Sequence, residues 1–154
     1  MYDSRTVANE FLRLADENND SLTPMQLLKL VFIAHGWCLG LLGRHLIRDP
    51  VEAWQYGPVI PNLYAAVREF ASDPVRGPLM VAERTDKLDS EERNIIEQVY
   101  SKYGTMSGPA LSRLTHQPGS PWAKTFKEGS FGLRISNDLI EDYYQTLAAM
   151  DESD

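Results

Sequence analysis

The chain has 154 residues, of which 43% are hydrophobic and 24% are charged, so we expect one domain with a sizeable core. Its formal net charge of −7 argues against nucleic acid as a partner, because such binding needs clustered lysine and arginine. The one cysteine, Cys38, cannot form an internal disulfide, and the first residues lack the basic and then apolar pattern of a secretion signal. The sequence therefore predicts a cytoplasmic protein.

Residues 4–19 form the first predicted element. Val7, Phe11 and Leu14 recur at helical spacing, which indicates an amphipathic helix with its apolar side on the domain. The charged side chains predicted on its solvent face are Arg5, Glu10, Arg13 and Asp16.

The longest apolar stretch, 23–43, is predicted to be a buried central helix. Thr23 and Gln26 have the spacing of a capping box. Pro24 suits the first helical position, and Gly43 can end the helix in a left-handed conformation. A helix this apolar needs neighbours on most sides.

A membrane span is the competing interpretation of this stretch. Spans need about 20 predominantly apolar residues, whereas Lys29 and His35 interrupt this one. We therefore predict a core helix of a soluble protein and no membrane partner. Gly36 and Gly40 form a G-x-x-x-G pair, which is expected to allow close packing of a neighbouring helix.

A small β element is predicted after the central helix. The runs 45–48 and 51–56 flank an Asp-Pro turn, so a hairpin or a pair of extended segments is expected there. The stretch 56–61 contains two prolines, which favour extended backbone, and the second of them is expected to open a helix over 61–71.

The second half of the chain is predicted to be mainly helical. Residues 72–87 are expected to form a loop, and further helices are expected to start near Asp89, Ser107 and Ser120. Ser136 is a candidate cap for a final helix. The predicted buried side of that helix is Leu139, Tyr143, Leu147 and Met150.

Together these elements predict a mainly α fold. It is expected to be a single-domain helical bundle around a buried central helix, with a small β-hairpin or extended element. The domain is predicted to cover residues 1–150, and the acidic end, 151–154, to be a frayed tail.

No motif for a metal or cofactor is recognisable. The chain lacks a C-x-x-C pair, an H-E-x-x-H run and a glycine-rich phosphate loop, so we predict neither a metal site nor a cofactor site. His35 has no ligand partner at helical spacing and is predicted to be a satisfied core histidine. An enzymatic alternative pairs His116 with Ser112 or Glu52, although serines are also common at helix caps.

Two regions are candidate surfaces for a protein partner. Aromatic and proline residues are concentrated over 54–64, which is either a rigid corner packed on the central helix or an exposed recognition surface. The region 113–134 carries four basic residues against one acidic residue, and it is either a contact surface or a solvated face. The candidate partner-binding residues are Trp54, Tyr56, Pro58, Pro61, Tyr64, His116, Trp122 and Lys124.

Three runs resemble the Panacea antitoxin-domain family, which includes SocA-like antitoxins and phage-associated proteins. The run 27–37 resembles the K-L-x-Y-x-A-q-G-w helix of that family, with Phe32 where tyrosine is frequent. The run 52–64 is similar to its most distinctive signature, E-A-W-x-Y-G-P-V-x-P-x-L-Y. The segments 111–116 and 120–122 resemble its third motif, and the order and spacing fit across most of the chain.

The resemblance implies an antitoxin that binds and neutralises a cognate toxin, encoded beside it, by protein–protein contact and without chemistry of its own. Some family members instead act as proteolytic adaptors that deliver the toxin to a cytoplasmic protease, and others occur in prophages without an assigned partner. A small hydrolase or transferase that uses His116 with Ser112 or Glu52 is the third alternative.

Overall fold

The computed structural model describes residues 1–153. The α-helices are α1 Ser4–Glu17, α2 Pro24–Leu42, α3 Pro61–Val67, α4 Ser90–Tyr103, α5 Gly108–Thr115, α6 Pro121–Thr125 and α7 Asn137–Ser153. The strands are β1 Glu52–Trp54, β2 Gly57–Val59 and β3 Leu133–Arg134, and 3-10 turns cover Arg68–Phe70 and Thr85–Lys87. The predicted mainly α fold with a small β element is confirmed. The predicted tail, 151–154, overlaps the end of α7, and Asp154 lies outside the described residues.

The central helix α2 begins and ends at the predicted residues. The Thr23 hydroxyl accepts from the backbone N–H of Gln26 at 3.3 Å, and the Gln26 side chain accepts from the backbone N–H of Thr23 at 2.9 Å. Gly43 ends the helix with a φ of 67° and donates its N–H to the carbonyl of Leu39. Both capping devices therefore operate as the sequence indicates.

The length and composition of α2 would let it cross a membrane. However, 72% of its apolar window is buried inside the fold, where α1, α4, α5 and α7 pack around it. The burial is that of a core helix, as predicted.

The G-x-x-x-G pair of α2 receives α7. A Cβ atom added at Gly36 would lie 2.2 Å from the ring of Tyr144, and one added at Gly40 would lie 2.8 Å from the Tyr144 Cβ. The predicted close helix packing is thus confirmed. The predicted buried side of α7 is confirmed in part, because Tyr143 and Leu147 pack half-buried against the core. The fully buried residues of the helix are Ile140 and Tyr144 instead, and the prediction is wrong for Met150, which is 59% exposed.

The small sheet has the order β2-β1-β3, with both neighbours of β1 antiparallel to it. Of the two alternatives predicted for 45–48 and 51–56, the hairpin between them is wrong. Tyr2 pairs with the first of these runs instead, since its N–H donates to the Leu46 carbonyl at 2.9 Å. The hairpin partner of β1 is β2, and Pro58 stands in that edge strand, where a residue without an N–H is tolerated.

One predicted solvent-facing residue of α1 is buried. Glu10 has no exposed surface, and the guanidinium of Arg13 covers its carboxylate with Nε 3.1 Å from Oε1. Arg93 of α4 lies 3.9 Å from the same oxygen. The prediction was wrong because Arg13, three positions further along the same helix, pairs with the Glu10 carboxylate where α1 packs against α4.

The loop between α3 and α4 is anchored rather than free. The N–H of Val75 donates to the Leu22 carbonyl at 2.8 Å. The Asn9 amide accepts from the N–H of Leu79 at 2.7 Å and donates to its carbonyl at 3.0 Å. Val75 and Leu79 are both buried, so this loop closes one side of the core.

Candidate functional site

Three side chains from three helices hold the β1–β2 hairpin by its backbone carbonyls. Lys29 of α2 donates Nζ to the carbonyl of Pro58 at 2.8 Å. Ser112 of α5 donates Oγ to the carbonyl of Tyr56 at 2.5 Å. Trp122 of α6 donates Nε1 to the carbonyl of Trp54 at 2.6 Å. We call Lys29, Ser112 and Trp122 the hairpin donors, and together they fix the hairpin against the helices.

A groove of about 960 Å³ opens beside this hairpin. We call it the hairpin groove. Its lining includes Met25, Lys29, Trp54, Tyr56, Tyr64, Arg68, Glu128 and Phe131.

Large apolar side chains project around the groove instead of packing in the core. Phe131 is 77% exposed, Tyr56 is 71% exposed and Met25 is 42% exposed. These three residues come from the β3 approach, the hairpin turn and the first turn of α2, so the fold brings together exposed apolar groups that are distant in sequence. Clustered exposed apolar surface of this kind is typical of contact sites on proteins.

An aromatic wall forms one side of the groove. The ring of Trp54 lies 5.1 Å from that of Tyr64 and 5.1 Å from that of Phe131, centroid to centroid. Its indole Nε1 donates to the carboxylate of Glu52 at 2.9 Å, which fixes the ring orientation. The orientation of the Trp54 ring in this wall is therefore fixed, and its contact with Tyr64 is edge-to-face.

The charged groups that line the groove are Lys29, Arg68 and Glu128. Lys29 is only 4% exposed, and burial lowers the pKa of its ammonium to about 8. The amine therefore stays mainly protonated at neutral pH. Arg68 lies with its guanidinium carbon 5.6 Å from the centroid of the Tyr64 ring, in a cation–π contact.

The structure places the predicted site residues in two groups. Trp54, Tyr56 and Tyr64 line the groove. Pro58 is buried in β2, and Pro61 is half-buried at the first position of α3, so both shape the backbone around the groove.

The three candidate partner-binding residues of the 113–134 region lie outside the groove lining; they are His116, Trp122 and Lys124. Trp122 stacks on Phe126 with a centroid distance of 4.7 Å, and Phe126 does line the groove. His116 contacts the edge of Trp122 at 5.2 Å, and Lys124 is exposed on α6. The structure therefore places Trp122 behind the hairpin as one of its donors.

Sequence reasoning missed Met25, Lys29, Arg68 and Phe131 as groove residues. The sequence does single out Lys29, because it is the one charged residue inside an apolar helix. The signal for Phe131 is weaker, because it is one large apolar residue in a short run that contains two glycines, Gly129 and Gly132. Neither signal could place these residues beside the hairpin without the fold.

The residues of the enzymatic alternative are engaged elsewhere. Ser112 donates to the Tyr56 carbonyl, and Glu52 accepts from Trp54. Within residues 1–153 no hydrogen bond joins His116 to either of them, and its Nδ1 is buried without a partner. The described part of the chain also holds no group of three or more His, Cys, Asp or Glu side chains placed to bind a metal ion.

Comparisons with known proteins show the family of the chain. The family model of the SocA-like antitoxin, Panacea domain, matches residues 27–123, which include all three hairpin donors. Antitoxin SocA of Caulobacter vibrioides (strain NA1000 / CB15N) is 32% identical over 162 residues, an alignment that covers 93% of this chain and 82% of that protein. No solved structure matches the chain significantly. The chain belongs to the SocA-like antitoxin family and carries its Panacea domain.

Proposed function

We propose that this protein neutralises a cognate toxin by direct protein–protein contact, and that the hairpin groove is the surface that binds the toxin. The observation that carries the proposal is the set of exposed apolar side chains Met25, Tyr56 and Phe131 around an apolar groove. Membership of an antitoxin family implies a toxin as the partner.

The side-chain types around the groove suit protein recognition. Tyrosine and tryptophan are enriched at interface hot spots, where they supply large contact areas with few rotatable bonds. Water contact with Tyr56 and Phe131 costs free energy in the unbound protein, and a bound partner would remove it. The groove can therefore supply affinity without any catalytic group.

The hairpin donors support the same function by preorganisation. They tie three consecutive parts of the hairpin to α2, α5 and α6, so the hairpin backbone has little freedom left to lose when a partner binds. In this proposal His116 and Lys124, which lie outside the groove lining, form at most the rim of the toxin-binding surface.

The test uses the product of the adjacent reading frame as the toxin. Tyr56→Ala and Phe131→Ala remove exposed side chains, so both variants are expected to fold like the parent. Each is expected to weaken toxin binding about tenfold or more in titration calorimetry and to reduce the rescue of growth on co-expression.

The matched control is Met80→Ala. Met80 is 89% exposed and lies outside the groove, so its loss is expected to change neither affinity nor rescue. Unchanged toxin affinity in both folded groove variants, with full neutralisation, would show that the toxin binds another surface.

Neutralisation in the cytoplasm by direct contact differs from proteolytic adaptor action in one measurable way. Direct contact leaves the half-life of the toxin in cells unchanged or longer when this protein is present. A shortened half-life that needs a cytoplasmic protease would establish the adaptor alternative instead.

A further inference from the structure

The hairpin groove contains a cation, Lys29, that has no anionic partner within residues 1–153. Lys29 Nζ donates to the Pro58 carbonyl, which uses one of its three N–H groups. Among the described residues no carboxylate lies within salt-bridge distance of it, although its side chain is almost completely buried. A buried ammonium without a counter-ion is costly, and an incoming carboxylate would offset that cost.

A second cation lies on the groove wall. Arg68 makes a cation–π contact with Tyr64 but no ion pair within residues 1–153, so its guanidinium fork is available. The only acidic residue that lines the groove in the described part of the chain is Glu128, which is exposed. A groove with two cations and one acid is notable in a chain whose net charge is −7.

We propose that the hairpin groove selects a toxin segment in which a large apolar side chain is followed closely by a carboxylate. The apolar side chain would pack against Trp54, Tyr56 and Phe131, and the carboxylate would meet Lys29 and Arg68. This inference rests on the proposed function, since it names the chemistry of the toxin segment that the same groove receives.

The dimensions and charges of the groove favour a protein segment as the occupant. Its volume of about 960 Å³ is at the upper end of the range for small-molecule pockets, and exposed apolar side chains surround its mouth. Nucleic acid would need an extended basic track, whereas this site has two cations in an apolar setting. Charge complementarity therefore points to an acidic and apolar segment of the toxin.

A pair of small probes tests the inference without the toxin. Indole-3-propionate and indole-3-propionamide share the ring and the linker and differ in the end group, which is a carboxylate in the first and a neutral amide of similar size in the second. Titration of the full-length ¹⁵N-labelled protein, followed by amide chemical shifts, is expected to place both probes in the groove. The carboxylate is expected to bind about tenfold more tightly than the amide, because charge-assisted hydrogen bonds are the stronger ones.

Variants assign the preference to the two cations. Arg68→Gln alters an exposed side chain, so it is expected to fold normally and to reduce the tenfold preference. Lys29→Met keeps the apolar stem and removes the charge, and it is expected to have the larger effect. Arg113→Gln, which removes an exposed arginine outside the groove, is the control and should leave the preference intact.

Equal affinity for the two probes, or a preference that survives Arg68→Gln unchanged, would overturn this inference. So would groove shifts that appear on raising the protein concentration alone, because a second copy would then be the occupant. None of these results affects the proposed function, which fails only if Tyr56→Ala and Phe131→Ala bind the toxin normally.

Discussion

His35 of α2 and Asn137 of α7 are joined by a hydrogen bond of 2.9 Å between the imidazole Nε2 and the amide Oδ1. On its other side the imidazole Nδ1 accepts from the backbone N–H groups of Leu46 and Ile47, both at 3.3 Å. Since Nδ1 accepts, the proton of the neutral ring is on Nε2 and is donated to Asn137. This histidine thus joins the central helix, the segment after it and the final helix.

The first prediction concerns the pH dependence of stability. Burial is the main reason that the pKa of His35 is lowered to about 4, from an ordinary value near 6.5. The unfolded chain therefore binds a proton at this residue below about pH 6.5, while the folded chain stays neutral until about pH 4. The stabilisation from a neutral His35 is therefore fully present above pH 6.5. As the pH falls from 6.5 to 4, we expect the free energy of unfolding to decrease by about 3 kcal/mol on account of this residue.

Urea unfolding at several pH values checks this contribution. Carboxylates titrate in the same window, so the informative quantity is the difference between the parent and His35→Gln. That difference is expected to shrink as the pH falls from 7 to 4. Parallel stability curves for the parent and His35→Gln would contradict the assignment.

The second prediction concerns the contact between α2 and α7. Gly36→Ala places a methyl group 2.2 Å from the ring of Tyr144, which must move out of its buried position. Overpacking of this kind is expected to cost about 1–3 kcal/mol in the free energy of unfolding. The control, Gly119→Ala, adds a methyl group where nothing lies within 4 Å, although its positive φ brings a backbone cost of its own. The second variant Tyr144→Leu in the Gly36→Ala background should recover part of the loss.

How far the fold follows from sequence depends on the range of the interaction. The caps at Thr23 and Gly43 are local and were predicted correctly, as was the close packing at Gly36 and Gly40. The identity of the helix that packs there was not predictable, because Tyr144 lies more than 100 residues away in the chain. Local signals specify an element, and the partner of that element depends on the whole chain.

The hairpin illustrates the same limit. The sequence predicted a β element near Trp54, but it paired 51–56 with the preceding run instead of with Gly57–Val59. The two prolines of the stretch 56–61 indicate extended backbone, but proline lacks the N–H that pairing inside a sheet requires, so a paired strand was not predicted there. The edge position of β2 tolerates Pro58. The groove residues Lys29 and Phe131 line the same groove only through this tertiary arrangement, so Trp54, Tyr56 and Tyr64 were the groove residues that could be predicted.

The third prediction concerns the hairpin donors. Trp122→Phe retains a ring that can stack on Phe126 but removes the donor to the Trp54 carbonyl. The loss is expected to be about 1 kcal/mol in unfolding free energy, with faster hydrogen exchange at the amides of 52–59. Trp37→Phe is the matched control, because no hydrogen bond of the Trp37 indole is present within residues 1–153, and it should leave that exchange unchanged. Unaltered exchange at the hairpin in Trp122→Phe would show that this donor does not hold it.

The fourth prediction concerns the buried carboxylate of Glu10. Arg13→Met removes its closest cation and leaves Arg93 at 3.9 Å, so the single variant is expected to lose about 3 kcal/mol. The double variant Glu10→Met with Arg13→Met removes the charge that needed a partner, and it is expected to be close to the parent in stability because apolar replacement of a buried pair is often neutral. Chemical denaturation of the parent, both single variants and the double variant gives the coupling energy directly. Simple additivity of the two single losses would mean that Arg13 does not compensate the charge of Glu10.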